Sequence, residues 1–144
     1  MDHFLTPVLA LILWTLIMLA VMYVRRIPAM QKMEVDPQRF AHEPELGAKL
    51  PEKARWAADN YNHLHEQPVI FYALMFYLFL VGATGWWVGS LAWAYVATRI
   101  IHSLVQVTSN RIMVRFVLFL LCSMILIVMS GYGLGFALGG HISC

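Results

Sequence analysis

Ionisable and hydrogen-bonding side chains recur at helical spacing beside three apolar segments of this chain. Intervals of three, four and seven residues place side chains on one face of a helix. The residues concerned are Asp59, Asn62, His63, Glu66, Arg99, His102, Gln106, Arg111 and Arg115. Where such groups lie within a membrane, each charge costs at least about 2.5 kcal/mol unless it faces water or the protein interior and finds a partner. The pattern therefore indicates a polar pocket at one end of a membrane bundle.

The arginines of this pattern favour an anionic ligand. A guanidinium group stays charged and donates from a fixed fork that matches a carboxylate. We expect Glu66 to pair with Arg99 or Arg115, and the remaining positive charge to face a pocket that opens to the cytoplasm. Two other interpretations stay open. Arg111 and Arg115 could extend to lipid phosphates, and a pair between Glu66 and Arg99 could serve helix packing alone.

Metal and cysteine chemistry fit the pattern less well. The side chains of metal-ligand type are His63, His65, Glu66 and His102. However, His63 and His65 are two residues apart and point to different helix faces, and neighbouring arginines would repel a cation. Cys122 lies within the apolar run "FLLCSMIL", where burial disfavours the thiolate. We expect neither a metal site nor a catalytic cysteine.

Composition and apolar runs predict an all-α integral membrane protein. The chain is 60% hydrophobic and 12% charged, as expected where the outer surface as well as the core must be apolar. The uncharged run over 4–24 would span roughly 30 Å as a helix, enough to cross the hydrocarbon core. We predict one domain over 1–144, a four-helix bundle. Its helices cover about 4–25, 54–83, 86–108 and 111–138, with a loop of about 26–53.

The basic residues predict the orientation of this bundle. Of the ten Lys and Arg residues, seven lie in or at the edge of the first loop and three near the third connection. These two connections share a side when four helices alternate. By the positive-inside rule loops 1 and 3 are cytoplasmic and both termini are non-cytoplasmic. Because the basic residues accompany no exposed aromatic platform, we expect no nucleic-acid partner.

Two motifs resemble a known family. "NHLHEQPVIFYAL" at the second helix and "RIIHSLVQVTSNRIMVR" across the third and fourth look like MAPEG, the membrane-associated proteins in eicosanoid and glutathione metabolism. The second motif reproduces the spacing R-x2-H-x3-(Tyr)-x4-R-x3-R of the glutathione-dependent prostaglandin E synthase branch, with Gln106 at the tyrosine position. The resemblance extends over nearly the whole chain.

The resemblance implies a homotrimer in the lipid bilayer that binds glutathione between neighbouring subunits. Glutathione would act as the cofactor for a lipophilic small-molecule substrate, with Arg115 as the catalytic residue near its thiol. Lowering a thiol pKa by one unit takes about 1.4 kcal/mol, which one arginine contact can supply. The residues that the resemblance assigns to glutathione binding are Arg26, Asn62, His63, Glu66, Arg99, His102, Gln106 and Arg111.

Departures from the family motif leave two functions open. Gln106, Phe116 and Phe119 occupy positions where hydroxyl groups of the family assist the thiolate. One function is that of a glutathione-dependent membrane transferase or peroxidase acting on lipophilic electrophiles. The other is that of a non-catalytic trimeric membrane subunit or lipid-binding scaffold. A transporter agrees less well with the pattern, because four helices offer few broken segments at the bilayer midplane.

Overall fold

The computed structural model describes residues 3–140, and every regular element in that range is an α-helix. The helices are α1 (Thr6–Gln31), α2 (Arg39–His42), α3 (Pro44–Ala48), α4 (Glu52–His63), α5 (Gln67–Leu80), α6 (Trp86–Thr108) and α7 (Ile112–Gly140). The predicted all-α class is confirmed for these residues. The predicted side of the carboxyl-terminal tail concerns residues 141–144, which lie outside the described range, as do residues 1 and 2.

Among the described residues, three helices are long and apolar enough to cross a membrane, namely α1, α6 and α7. They contain 26, 23 and 29 residues. At about 1.5 Å per residue each exceeds the roughly 30 Å of a hydrocarbon core. Large apolar side chains such as Leu13, Met124 and Ile127 are more than half exposed. Lipid is the solvent that such a surface matches, so the architecture fits an integral membrane protein.

The predicted second helix is divided into α4 and α5. The interruption covers Leu64 to Glu66, where Glu66 has φ −94° and ψ −93°. Pro68 explains it, because a proline has no N–H to donate to the carbonyl four residues earlier and its ring clashes with that carbonyl. Helix α5 alone, with 14 residues, covers about 21 Å. It ends at Leu80, short of the predicted residue 83.

Helix α1 continues beyond its predicted end at residue 25 and includes Pro28 in its last turn. There the missing N–H of the proline forfeits a single helical hydrogen bond. Arg25 therefore lies in the helix, and its Nη1 donates to the backbone oxygen of Val107 at 2.7 Å. The last carbonyls of a helix lack intrahelical donors and favour a cation. This contact holds the end of α1 beside the end of α6.

The buried face of α6 changes character along its length. Its first half buries Val88, Ala92 and Tyr95, and Tyr95 stacks on Phe71 of α5 with ring centroids 4.4 Å apart. Its second half buries polar side chains on the same face. These are Arg99, His102, Ser103 and Gln106. The core is thus apolar at one end of the bundle and polar at the end that contains the predicted site.

Candidate functional site

A cavity of about 330 Å³ lies where the polar half of α6 faces the start of α7 and the interruption between α4 and α5. Its volume falls at the lower end of the range typical of ligand sites. Five of the nine residues predicted for the site line it, namely His63, Glu66, Arg99, His102 and Arg115. The other lining residues are Gln67, Ile112, Phe116 and Phe119. The cavity therefore has a basic, hydrogen-bonding wall and an apolar wall.

Arg99 forms the deepest part of the basic wall. It is only 2% exposed, and its Nη2 donates to the backbone oxygen of His63 at 2.8 Å. Its Nε is buried and has no hydrogen-bond partner within residues 3–140. No carboxylate in that range lies within 4.0 Å of its guanidinium nitrogens. Arg99 thus keeps its positive charge and an unused donor at the base of the cavity.

Arg115, one turn into α7, is held by neutral groups. Its Nη1 donates to Oδ1 of Asn110 at 2.6 Å, and its Nη2 lies 3.4 Å from Nε2 of His63. With the amide of Gln106 oriented so that its oxygen faces the arginine, Nη2 also donates to Gln106 at 3.2 Å. The buried Nε of Arg115 has no partner in the described part of the chain. Because its partners carry no charge, the charge of Arg115 is not cancelled.

Glu66 pairs with a histidine and not with an arginine. Its Oε2 lies 3.1 Å from Nδ1 of His63, and the predicted ion pair with Arg99 or Arg115 does not form. The interruption after His63 causes this difference, because it moves Glu66 away from the helical position that a continuous helix would give it. A neutral His63 protonated at Nδ1 donates to Glu66 and accepts from Arg115 at Nε2. His63 therefore links the acid to the arginine.

Gln67 lines the cavity and is not among the predicted site residues. It is the first residue of α5, and its Nε2 donates to Oγ of Ser123 on α7 at 2.8 Å. Its Oε1 is buried and has no partner among the described residues. The signal in the sequence was Pro68, since a proline near a helix start indicates that the preceding residues turn. That turn brings Glu66 and Gln67 to the cavity.

Asn110 is a second residue of the site that is not among the predicted ones. It follows α6 with a φ of +46°, and its N–H donates to the backbone oxygen of Val105 at 2.7 Å. Asparagine tolerates this left-handed conformation better than most residues, which suits it to end a helix. The same residue supplies the oxygen that holds Arg115. An asparagine just after the last apolar position of a helix was the available signal.

The other predicted site residues lie outside this cavity in their own chain. Asn62 and Arg111 are exposed, and Gln106 is buried behind Arg115. Arg26 lines a second cavity of about 510 Å³. Within residues 3–140 no group of three or more His, Cys, Asp or Glu side chains could hold a metal ion.

The arrangement of charges suits an anion with several hydrogen-bond acceptors. Arg99 and Arg115 present buried donors without partners, and within residues 3–140 no carboxylate oxygen lies within 4.0 Å of either guanidinium group. Arginine donors bind carboxylates well and stabilise negative charge on a neighbouring atom where water is excluded. The apolar side formed by Phe116 and Phe119 can meet a second, lipophilic molecule.

Comparison with known proteins identifies the family. The family model described as "MAPEG family" matches residues 4–135, which is 132 of the 144 residues. No curated protein and no solved structure matches the chain. The matched range contains all the residues that line the cavity. The chain belongs to the MAPEG family, the membrane-associated proteins in eicosanoid and glutathione metabolism.

Proposed function

We propose that this protein is a glutathione-dependent membrane transferase or peroxidase acting on lipophilic electrophiles. Membership of the MAPEG family supports a role in glutathione or eicosanoid metabolism at the level of the family. The observation that carries the proposal is the pair of guanidinium groups on one cavity wall. Arg99 and Arg115 both line the cavity, and the Nε atom of each is buried without a partner in the described residues.

The residues present fit glutathione. This tripeptide has two carboxylates, an ammonium group and a thiol. Arg99 and Arg115 need acceptors for their unpartnered donors, and a carboxylate supplies them in matching geometry. Glu66 is exposed and only accepts when ionised, which suits an ammonium group at the open side of the cavity. The unpartnered Oε1 of Gln67 adds an acceptor for an amide N–H.

Arg115 has the properties needed to favour a thiolate. Glutathione would supply the thiol that attacks the electrophile or reduces the peroxide. A thiol titrates near pH 8.5 in water, and each unit of pKa lowering needs about 1.4 kcal/mol of preference for the charged form. Asn110, Gln106 and His63 orient Arg115 without cancelling its charge. Its contribution is therefore to hold a positive charge fixed beside the sulfur.

The apolar wall accounts for the lipophilic substrate. Ile112, Phe116 and Phe119 line the cavity, and each of them is exposed on the outer face of α7. A molecule dissolved in the bilayer can therefore approach along α7 and reach the cavity without crossing water. The electrophile meets the thiol at the boundary between the apolar and the basic wall.

The assembly and orientation belong to the same proposal. The protein acts as a homotrimer with loops 1 and 3 in the cytoplasm and both termini on the other side. Asn62 and Arg111 lie outside the cavity of their own chain, and a neighbouring subunit offers the position from which they contribute. Arg26 lines a separate cavity. The exposed apolar surface of α7 is available for contact with lipid or with a second copy.

The test uses the detergent-solubilised protein and glutathione at millimolar concentration. We expect the free energy of unfolding to rise by about 2.7 kcal/mol when glutathione is present at 100 times its Kd, and the melting temperature to rise with it. We also expect an ultraviolet absorbance of the thiolate, lost in Arg115→Gln and kept in Arg39→Gln, which changes an arginine outside the cavity. If the wild-type protein shows neither stabilisation nor thiolate absorbance, the proposal is wrong.

A non-catalytic trimeric membrane subunit or lipid-binding scaffold is the second candidate. It is favoured by the absence of any hydroxyl side chain among the residues described as lining the cavity. By the family resemblance, Phe116 and Phe119 stand at positions where a hydroxyl would assist the thiolate. In this case glutathione binds weakly or without a thiolate signal, and the protein co-purifies with a larger complex. Conjugation of a model aryl halide by the purified protein would exclude it.

A further inference from the structure

The second cavity is larger than the first and shares no lining residue with it. Its volume is about 510 Å³, and it lies between the ends of α1 and α6, helix α3 and the first turns of α4. Its polar and aromatic lining residues are Arg26, Arg55, Trp56, Asp59 and Asn110. Of these residues, the function proposed above uses only Asn110, through its contact with Arg115.

Two arginines give this cavity an excess of positive charge. Within residues 3–140, neither Arg26 nor Arg55 has a carboxylate within 4.0 Å. The Nε of Arg55 is buried and has no hydrogen-bond partner in that range. A buried donor without a partner is costly, so an acceptor supplied by a ligand would be stabilising. Phosphate oxygens are acceptors of the right charge for two guanidinium groups.

The same cavity also presents groups that attract a cation. Asp59 is exposed at the wall and has no arginine or lysine nitrogen within 4.0 Å in the described part of the chain. Trp56, three residues earlier on α4, also lines the cavity. A carboxylate and an aromatic face together favour an ammonium group. The lining therefore suits a ligand with both charges and not a simple anion.

The position of the cavity matches the headgroup level of a membrane. Arg26 lies five residues before the end of α1, a helix of 26 residues that reaches about 39 Å. A hydrocarbon core is about 30 Å thick, so the last turns of α1 extend into the headgroup region. Asn110, on the opposite wall, lies in the connection between the spanning helices α6 and α7.

We propose that this cavity binds a phosphate ester that carries a primary ammonium group, the chemistry of phosphoethanolamine. Arg26 and Arg55 hold the phosphate. Asp59 and Trp56 hold the ammonium group. The ligand is either the headgroup of a phosphatidylethanolamine molecule or a soluble phosphoethanolamine ester, because both present the same two charges.

The experiment measures retention of defined lipids by native mass spectrometry of the detergent-solubilised full chain. Phosphatidylethanolamine is compared with phosphatidylglycerol, which has the phosphate without the ammonium group. Soluble glycerophosphoethanolamine and inorganic phosphate are titrated in a calorimeter. We expect Arg55→Gln to weaken phosphatidylethanolamine binding about tenfold. Arg26→Gln repeats the test at the other arginine, in case one variant does not fold.

Two further variants sharpen the result. Asp59→Asn should reduce the preference for phosphatidylethanolamine over phosphatidylglycerol several-fold, because only the first has an ammonium group. Arg39→Gln is the matched control, since it removes one positive charge from the same region without touching the cavity. Binding of the lipid alone identifies the headgroup as the source, and binding of the soluble ester identifies a free ligand.

Three outcomes would overturn the inference. The first is equal retention of both lipids by the wild-type protein, and the second is unchanged binding in both arginine variants. The third is displacement of phosphatidylethanolamine by glutathione, which would make this cavity part of the glutathione site. None of these results depends on whether the first cavity activates a thiol.

Discussion

The arginines of this protein have two kinds of surroundings. Arg39, in the short helix α2, is exposed and forms a bidentate ion pair with Glu43, with distances of 2.9 Å from Nε to Oε1 and 3.0 Å from Nη2 to Oε2. Arg99 and Arg115 are partly or fully buried, and within residues 3–140 their hydrogen-bond acceptors are a backbone oxygen, an amide oxygen and an imidazole nitrogen. The residue type is the same in both regions, and the partners differ.

This difference explains why one region suits a ligand and the other does not. In water, an exposed ion pair contributes little to stability, because solvent screens the attraction and two flexible side chains must be ordered. Arg39 is also already paired with a carboxylate, that of Glu43. In the bundle the neutral partners of Arg115 orient its guanidinium group and leave the charge free. An uncancelled charge in low-dielectric surroundings acts strongly on a bound anion.

The largest effect is expected for Arg99→Met. We expect glutathione affinity to fall about 100-fold, or about 2.7 kcal/mol, because a buried charge-assisted contact to a carboxylate is lost. The melting temperature should fall little or rise. The substitution removes a buried charge, and within residues 3–140 it leaves no carboxylate without an ion-pair partner. Isothermal titration and thermal denaturation of the same preparation measure the two quantities.

Arg39→Met is the matched control for this pair, and it should change neither quantity measurably. The comparison of the two regions fails if both variants lose affinity equally. It also fails if Arg99→Met unfolds the protein while the folded fraction binds normally, because Arg99 would then act in packing alone.

The next effect is expected at Asn110, which both ends α6 and holds Arg115. Glycine adopts a φ of +46° without steric cost, so Asn110→Gly keeps the turn and removes the side-chain oxygen. We expect glutathione-dependent thiolate absorbance to fall about tenfold, since Arg115 loses its 2.6 Å acceptor. Asn110→Asp keeps the acceptor but adds a negative charge beside Arg115, and we expect a larger loss.

Glu34→Gly provides the control for the backbone change. Glu34 has a comparable left-handed φ of +52° just after α1 and lines neither cavity. It should leave the thiolate signal intact. Unchanged absorbance in Asn110→Gly would show that Arg115 does not depend on this contact.

Much of this site could be predicted from spacing within single helices. Arg99, His102 and Gln106 lie three and four residues apart on α6, and the structure buries all three on one face. Arg115 joins them because the connection before α7 is short. Helical periodicity depends on local geometry alone, which a sequence contains.

The contacts between helices could not be predicted in the same way. Spacing shows which residues share a face but not what that face contacts. It therefore predicts an arginine as the partner of Glu66, whereas the partner is His63. The interruption before Pro68 rotates the residues that follow it relative to α4. Likewise, the position of Arg26 at a separate cavity depends on the continuation of α1 past its predicted end at residue 25.

A smaller effect is expected where a hydroxyl is added to the apolar wall. Phe119→Tyr introduces one oxygen at the cavity and should raise the thiolate fraction of bound glutathione about threefold, if the hydroxyl donates to the sulfur. Phe79→Tyr is the matched control, because Phe79 is similarly exposed but stacks on Phe4 away from the cavity. Absorbance titration against pH measures both. A gain in the control alone would contradict a specific role for the wall.

The smallest effect is expected at the exposed ion pair between Arg39 and Glu43. It tests the expectation that an exposed arginine contributes little to stability. The hydrogen bond from Arg39 holds the pKa of Glu43 below its ordinary value of 4.5. A lowered pKa means that any stabilisation by this pair is present above the unfolded pKa and is lost as the pH falls through the folded pKa. Carboxyl chemical shifts of Glu43 should therefore titrate below pH 4.5 in the wild-type protein and closer to pH 4.5 in Arg39→Gln.

Because both side chains are exposed, the melting temperature at pH 7 should be the same in the two proteins. A clear drop in Arg39→Gln would mean that this ion pair supports the fold, and the contrast with Arg99 would then be one of degree.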